Sequence, residues 1–218
     1  TRPFGAAGFE LPVLGLGAMD TPHSPEAEAT VRAALDAGIR CIDTARDYEG
    51  SEYLLGRVLR ERPAADLFLA SKTFRRTAAS AQYDIDRSLQ VLGRETIDLY
   101  QLHDVSTPEA WAQVTAPGGA LDGLRDAVER GAIRFIGIST HSLEVARLAI
   151  DAGAFAAIML EYSAFYPESR PVLEHAADRG LAVIVMRPLG GSGRTSAIRG
   201  RMARGEAGPL TPANLLRY

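Results

Sequence analysis

Short apolar segments alternate with amphipathic segments along most of the chain. Seven apolar runs predict β-strands at residues 12–17, 39–42, 67–71, 97–102, 134–138, 156–160 and 181–186. Between them, apolar residues recur at helical spacing and predict helices at residues 25–37, 51–62, 77–92, 119–130, 142–152 and 168–179. Because the strands are apolar almost throughout, we predict a parallel sheet that is buried on both faces.

The two ends of the chain differ from this repeat. Residues 1–11 predict a short β-hairpin whose turn contains glycine. The last segment, "LTPANLLRY", predicts a threonine-capped helix with Leu215 and Leu216 on its apolar side. We expect this to be the helix that follows the seventh strand.

Two folds share the strand–helix alternation, a doubly wound sheet and a (β/α)8 barrel. The segment "GLGAMD" after the first strand matches the dinucleotide-binding GxGxxG pattern only in part, and no acidic residue stands in the matching register of the second strand. The regular repeat has no domain break. We therefore predict one α/β domain over residues 1–218, a (β/α)8 TIM barrel with an N-terminal β-hairpin. No segment of this sequence corresponds to strand eight or to the C-terminal tail of such a barrel. An open barrel would leave strand edges unpaired.

Composition and charge narrow the class of protein. The 218 residues are 46% hydrophobic and 23% charged, which is typical of a globular domain. The net charge is −3 and no basic run is longer than Arg75-Arg76, so neither nucleic acid nor an anionic membrane is an expected partner. The sequence opens on no signal peptide and has no apolar run near the roughly 18 residues of a membrane span, so we expect a cytoplasmic protein. The single cysteine, Cys41, excludes an intrachain disulfide, and no metal site is expected.

One basic residue differs from all the others. Of the 24 basic residues, Lys72 is the only lysine, and it ends the apolar strand "LFLASK". A lysine fits a compact site as a point charge and can change its pKa there, whereas an arginine cannot. A functional role for Lys72 is one interpretation, and chance survival of a single lysine is the other.

Four polar residues follow the ends of neighbouring strands, where a barrel carries its catalytic groups. Asp43 and Tyr48 follow the second strand, Lys72 ends the third, and His103 follows the fourth. An ammonium beside a phenol favours the phenolate, so we expect the pKa of Tyr48 to fall from about 10 toward about 8, a change of about 2.7 kcal/mol. Such a group suits proton delivery to a developing alkoxide. General acid catalysis contributes only about 10²–10⁴-fold, so a hydride-donating cofactor is expected beside it.

Several segments resemble one known family. "DTARDYEGSEYLLG" resembles the "DTAxxYGxExxLG" pattern of the aldo-keto reductases, and "LFLASKT", "IDLYQLHD", "GAIRFIGIST" and "PLGGSGR" resemble its later segments in the same order. The resemblance spans essentially the whole chain. It implies a (β/α)8 barrel that binds NADPH, or less often NADH, and reversibly reduces an aldehyde or ketone to an alcohol. It also implies Tyr48 as general acid and base, Lys72 and Asp43 as the pair that tunes it, and His103 as the residue that orients the substrate.

The resemblance implies a set of cofactor contacts as well. Ser139 matches the serine that binds the nicotinamide carboxamide. Thr140 stands where asparagine is common, Met159 where glutamine is usual, and Met186 where an aromatic side chain often stacks on the ring. A thioether can cover a ring face, but Met159 cannot donate the glutamine's hydrogen bond.

The glycine-rich segment 188–194, "PLGGSGR", follows the seventh strand, a common phosphate-binding place in barrels. Its amides could contact the pyrophosphate and its arginine would add charge, while a plain flexible loop is the alternative. The cofactor-binding candidates at this rim and after the first strand are Arg187, Leu189, Gly191, Ser192, Arg194, Gly17 and Ala18. We expect NADP(H) rather than NAD(H) from the family alone, because the residues that usually decide this follow strand eight.

Four further residues are candidates for the substrate pocket: Met19, His23, Trp111 and Phe165. For His23 a surface position is the alternative, and for Trp111 the anchoring of a loop. The expected partner is a small carbonyl or alcohol substrate, and the oligomeric state is not predicted. Two other functions stay open. One is non-redox elimination or isomerisation by the same four groups, motivated by Met159 and Met186, and the other is a cofactor-sensing scaffold subunit.

Overall fold

The computed structural model describes residues 1–19, 21–64 and 66–217. A hairpin of β1 (Arg2–Pro3) and β2 (Glu10–Leu11) precedes a sheet of seven parallel strands, which lie in the order in which they occur along the chain. The seven are β3 (Leu16–Gly17), β4 (Cys41–Asp43), β5 (Phe68–Thr73), β6 (Ile97–Leu102), β7 (Ile133–Thr140), β8 (Ala157–Glu161) and β9 (Ala182–Met186). This succession is that of a (β/α)8 barrel from its first strand to its seventh, which confirms the predicted fold class. The sheet ends at β3 and β9, and the described residues include no pairing between these two edges.

Helices connect the strands. They are α1 (Pro25–Asp36), α2 (Ser51–Glu61), α3 (Ala78–Leu92), α4 (Pro108–Thr115), α5 (Ala120–Glu129), α6 (Leu143–Ala152), α7 (Arg170–Asp178), α8 (Gly191–Ala203) and α9 (Pro212–Leu215), with one 3₁₀ turn at Pro167–Ser169. The six helices predicted between the strands are present within two residues at each end, and the first strand is shorter than predicted. Within the part of the chain that the structure describes, no helix combines the length and the apolar character that a membrane span requires.

Two helices lie in segments for which the sequence pattern predicts neither a strand nor a helix. α4 occupies part of residues 103–118, and its start is marked by Thr107, whose Oγ1 accepts a hydrogen bond from the N–H of Ala110 at 3.1 Å. α8 begins inside the glycine-rich segment, where low helix propensity favours a loop. α8 lies between β9 and the predicted C-terminal helix, so that helix does not follow the seventh strand directly, although Thr211 caps it as predicted. That helix is α9, which has only four residues.

The hairpin closes the N-terminal end of the sheet. Its Phe4 and Phe9 pack against Phe68 of β5 and Phe135 of β7, with ring centroids between 5.1 and 5.9 Å apart. These contacts place apolar aromatic rings across the end of the barrel at which the strands begin. The opposite end, where the strands finish, is left for a functional site.

Side-chain alternation along the strands divides the interior of the barrel from the layer beneath the helices. On β5, Phe68 and Ala70 belong to the interior cluster with Phe4, whereas Leu69 packs beneath the helices. Since successive side chains of a strand point to opposite faces, Lys72 shares the interior face. A fully buried cation at this position needs partners, and the neighbouring strands supply them.

Candidate active site

The structure brings four of the predicted groups together at the C-terminal end of the strands. Lys72 Nζ donates hydrogen bonds to Asp43 Oδ1, to the carbonyl oxygen of Thr44 at 2.8 Å and to the hydroxyl oxygen of Tyr48 at 3.2 Å. The rings of Tyr48 and His103 meet edge to face, with centroids 5.5 Å apart and planes at 82°. A phenol, an ammonium, a carboxylate and an imidazole from three adjacent strand ends thus form one cluster.

The loop between β4 and α2 holds Tyr48 in place. Thr44 Oγ1 and Ser51 Oγ lie 2.8 Å apart in a buried contact, and Ser51 Oγ also donates to the carbonyl oxygen of Ala18 at 2.8 Å. Gly50 has a φ of 72°, a left-handed conformation that glycine adopts without strain, and α2 begins at the next residue. The contact of Thr44 with Ser51 therefore joins the two ends of the loop that carries Tyr48.

Gln101 is a member of the site that the sequence analysis missed. Its Nε2 donates to Asp43 Oδ2 at 2.9 Å, so Lys72 and Gln101 share the two oxygens of one carboxylate. Gln101 is fully buried, and its Oε1 has no hydrogen-bond partner among the described residues. A Cβ at Gly137 would lie 2.9 Å from Gln101 Cγ, so this glycine makes room for the side chain. A signal was present, since a polar residue two positions before His103 shares its strand face.

Phe74 is a second residue that the sequence analysis did not identify. Its ring stacks on that of His103, with centroids 4.0 Å apart and planes at 26°, and 40% of the side chain is exposed. The available signal was its position two residues after Lys72, just beyond the end of β5. Phe74 therefore gives the imidazole an apolar support and presents an aromatic surface at the rim.

The pKa of Tyr48 shifts in the direction opposite to the one expected. Burial raises the pKa of the phenol above its ordinary value, although the Lys72 cation acts to lower it and the Asp43 carboxylate acts to raise it. Desolvation outweighs the ammonium, so the expected fall of the Tyr48 pKa toward 8 is wrong. At neutral pH Tyr48 is a neutral phenol that has a proton to donate. Burial also raises the pKa of Asp43, against the opposing effects of Lys72 and of the hydrogen bond from Gln101.

His103 is held in its neutral form. Burial, followed by the nearby Lys72 cation, lowers the pKa of the imidazole to about 3. The backbone of this segment is fixed by Arg76, whose guanidinium donates to the carbonyl oxygens of His103 and Asp104, each at 3.0 Å. Asp104 adopts a left-handed φ of 49°. A neutral, oriented imidazole can donate a hydrogen bond without carrying charge into the site.

The neutral state of His103 predicts a pH dependence of stability. Between pH 6.5 and about 3 the unfolded chain binds a proton at this histidine and the folded chain does not, so the free energy of unfolding falls as the pH is lowered through this window. We expect urea unfolding at pH 7, 5 and 4 to show a steeper loss for the wild type than for His103→Gln. Equal losses in the two proteins would contradict the shifted pKa of this residue.

The predicted nicotinamide contacts lie on β7, β8 and β9. Ser139 Oγ accepts a hydrogen bond from the N–H of Asp104 at 3.0 Å, which leaves its own hydrogen free to donate. Thr140 is fully buried and its Oγ1 accepts from the N–H of Ser142 at 3.0 Å, at the start of α6. Met159 is buried and stands opposite Ser139 in the sheet register, whereas Met186 is half-buried at the end of β9. Their roles stay predictions.

The predicted phosphate segment forms the turn from β9 into α8. Arg187 has a left-handed φ of 55°, and its Nη1 donates to Glu161 Oε2 at 3.2 Å. Arg194 lies over the ring of Phe165, 5.0 Å from its centroid, and donates to the carbonyl oxygen of Gly190 at 3.4 Å. Gly191 begins α8, which has no side-chain cap, and Ser192 is exposed while Leu189 is half-buried. The N-cap residue of this 13-residue helix is Gly190, and no side chain among the described residues caps the helix at this rim.

The remaining candidates occupy separate positions. Ala18 is fully buried and its N–H donates to the carbonyl oxygen of Asp43 at 2.8 Å, and Gly17 is the last residue of β3. Met19 is 49% exposed, and His23 is exposed beside Gly50. Trp111 packs against Phe155, with ring centroids 6.2 Å apart, and against the helix-side core, so this contact gives it a packing role. Its place in the substrate pocket, like those of Met19, His23 and Phe165, stays a prediction.

Comparison with known proteins places this geometry in a family. The model of the aldo/keto reductase family matches residues 13–209. A protein of Mycobacterium avium described as an aldo-keto reductase is 36% identical over 146 residues, which are 65% of this chain and 49% of that protein. The chain spans about half the length of the curated relatives it matches.

Solved structures agree with this assignment. A structure described as an aldo-keto reductase of Pseudomonas aeruginosa superposes with a TM-score of 0.77 at 26% identity, over 99% of this chain and 92% of that one. The holo form of an aldo-keto reductase from Bacillus halodurans superposes with a TM-score of 0.74 at 25% identity, over 87% of this chain and 66% of that one. With a family match that covers most of its residues and a barrel that carries the expected groups at one rim, the chain belongs to the aldo-keto reductase family.

Proposed function

We propose that this protein reduces an aldehyde or ketone to the alcohol with a reduced nicotinamide dinucleotide, NADPH in preference to NADH. The observation that carries the proposal is the contact of the buried Lys72 Nζ with Tyr48 OH at 3.2 Å, in a cluster that the half-buried Asp43 completes. A phenol that is neutral at rest and touches an ammonium can release a proton to a carbonyl oxygen. The phenolate that remains is then stabilised by the adjacent cation.

The residues at the rim fit a dinucleotide. The uncapped N-terminus of α8 presents the backbone amides of Gly191 and Ser192, and a helix N-terminus favours a phosphate anion. Arg194 adds a cation one turn along the same helix. Ser139 would hold the carboxamide through its free hydroxyl hydrogen. When bound, the dinucleotide supplies the hydride.

The chain's own residues supply the proton and the orientation. Tyr48 donates its proton to the substrate oxygen, and the neutral imidazole of His103 orients that oxygen by a hydrogen bond. Asp43 and Gln101 hold the Lys72 ammonium in contact with the phenol. Phe74 and Met19 offer exposed apolar side chains at the mouth, which suits a substrate with apolar groups beside its carbonyl.

One observation favours a second candidate function. Met159 cannot donate a hydrogen bond, and the Thr140 hydroxyl already donates to the carbonyl oxygen of Ser142 at 3.4 Å, so two of the expected carboxamide donors are missing. A site of this kind could use the same four groups for elimination or isomerisation beside a carbonyl. Binding of the dinucleotide distinguishes the two functions.

Titration of the protein with NADPH and with NADH, followed by calorimetry and by nicotinamide fluorescence, tests the proposal. We expect a Kd between about 1 μM and about 1 mM for at least one nucleotide, the range in which the KM values of enzymes usually lie. Arg194→Gln should weaken binding, whereas Arg147→Gln, a change on the exposed side of α6, should not. Absence of binding below millimolar concentration for both nucleotides would remove the reductase function and favour the non-redox alternative.

A further inference from the structure

A second polar cluster lies on the helix-facing side of the strands whose ends carry the active-site groups. We call it the Glu52 cluster, and it consists of Glu52, Arg46, Ser71, Ser88 and Tyr100. Glu52 belongs to the first turn of α2 and only 2% of it is exposed. Its Oε1 accepts hydrogen bonds from Ser71 Oγ and Ser88 Oγ, each at 2.7 Å, and its Oε2 accepts one from Arg46 Nη1.

Burial makes this carboxylate dependent on its partners. An ionised carboxyl group in the interior is costly unless it is paired and hydrogen-bonded, and Glu52 has both a cation and two hydroxyl donors. Removal of one partner from such a group costs more than the same change at the surface. The Glu52 carboxylate therefore fixes the positions of the side chains that donate to it.

Those partners belong to the same backbone segments as the active-site groups. Arg46 lies two residues before Tyr48, and its backbone N–H donates to the carbonyl oxygen of Lys72 at 3.0 Å. Ser71 immediately precedes Lys72 on β5, so the two side chains point to opposite faces of one strand. One carboxylate on the helix side thus ties the loop that carries the phenol to the strand that carries the ammonium.

We propose that Glu52 is a positioning residue whose carboxylate sets the separation of Lys72 Nζ and Tyr48 OH through Ser71 and Arg46. Its effect on turnover rests on the proposed reductase function, whereas its effect on the geometry does not. Because misplacement of a reacting group by about 1 Å can cost about 10²-fold in rate, loosening of this tie is expected to reduce kcat.

Two serines form a matched pair for the test. Ser71→Ala and Ser88→Ala each remove one fully buried hydroxyl that donates to the same oxygen at the same distance. Ser71 is attached to the strand of Lys72, whereas Ser88 is attached to α3, which carries no group of the site. We expect Tm to fall in both variants, and at least as far in Ser88→Ala, because the Ser88 hydroxyl also lies 3.0 Å from the buried Tyr100 OH. We also expect kcat to fall about tenfold or more in Ser71→Ala and less than about twofold in Ser88→Ala, with KM unchanged in both. Equal changes of kcat would overturn the proposal.

A second measurement needs neither cofactor nor substrate. The ring of Tyr48 is titrated by ¹³C NMR in the free protein, with Tyr48→Phe used for assignment. The charged and titratable groups around the phenol are Lys72, Asp43, Arg187 and His103. Of these, Lys72 gives the strongest opposition to the rise of the Tyr48 pKa caused by burial.

Loss of the close Lys72 contact should therefore raise the pKa of Tyr48 further in Ser71→Ala and in Glu52→Gln than in Ser88→Ala. An unchanged titration in Ser71→Ala overturns the proposal, even if Glu52→Gln fails to fold. If the wild type binds no dinucleotide and the titration still shifts, the reductase function fails and the positioning role of Glu52 stands.

Discussion

Tyr48→Phe is expected to lower kcat for carbonyl reduction by about 10²–10⁴-fold or more, while the Kd for the dinucleotide stays within a factor of about two. The substitution removes the hydroxyl group that contacts Lys72 and leaves the ring in place beside His103. The loss therefore falls on proton transfer rather than on the shape of the site. Steady-state oxidation of the reduced dinucleotide gives kcat and KM, and fluorescence titration gives the Kd.

Tyr53→Phe supplies the control for this variant. Tyr53 lies on α2 and is 51% exposed, so the same chemical change there should leave kcat and KM unaltered. If Tyr48→Phe retains activity within a few-fold of the wild type, a group other than this phenol supplies the proton. The assignment of Tyr48 as general acid would then be wrong.

Lys72→Met is expected to reduce both activity and stability. It removes the cation from a buried ion pair and leaves the Asp43 carboxyl with Gln101 as its remaining side-chain partner, a kind of change that typically costs about 3–5 kcal/mol. Activity should fall because nothing then stabilises the phenolate of Tyr48. Urea unfolding gives the loss of stability, and the kinetic assay gives the loss of rate.

The double variant Asp43→Asn and Lys72→Met separates the two effects. With both charges removed, the site no longer contains an unpaired buried carboxyl, so we expect most of the lost stability to return. The activity should stay low, because the ammonium is still absent. If Lys72→Met alone is as stable as the wild type, Lys72 and Asp43 do not act as a buried ion pair.

Much of the fold was predictable because the residue pattern within each segment is enough to predict most of the strands and helices. The apolar runs at 97–102 and 181–186, with glycines behind the helices, are signals that a single segment carries. α8 was missed because Gly191 and Gly193 in its first turn argue against a helix, whereas burial of Ile198 in the folded chain supports one. Local propensity therefore predicts the repeat and fails where packing overrides it.

The site was predictable only in part. Asp43, Lys72 and His103 could be placed because strand ends of a barrel share one rim. Gln101 could have been placed from its position two residues before His103 on the same strand face, but its partner Asp43 lies on another strand. Glu52 could not, because its importance comes from partners on other segments of the chain that no local pattern reveals. The direction of the pKa shift of Tyr48 was mistaken because the charge of a neighbour can be inferred from sequence, whereas the depth of burial cannot.

The burial of Lys72 has a practical consequence for labelling chemistry. It is the only lysine in residues 1–218 and it is buried, so this chain has a single ε-amino group that reagents in solution hardly reach in the folded state. Acylation of that amine requires the surrounding structure to open. The rate at which one mass increment appears on the peptide that contains residue 72 would therefore measure how often this part of the barrel opens.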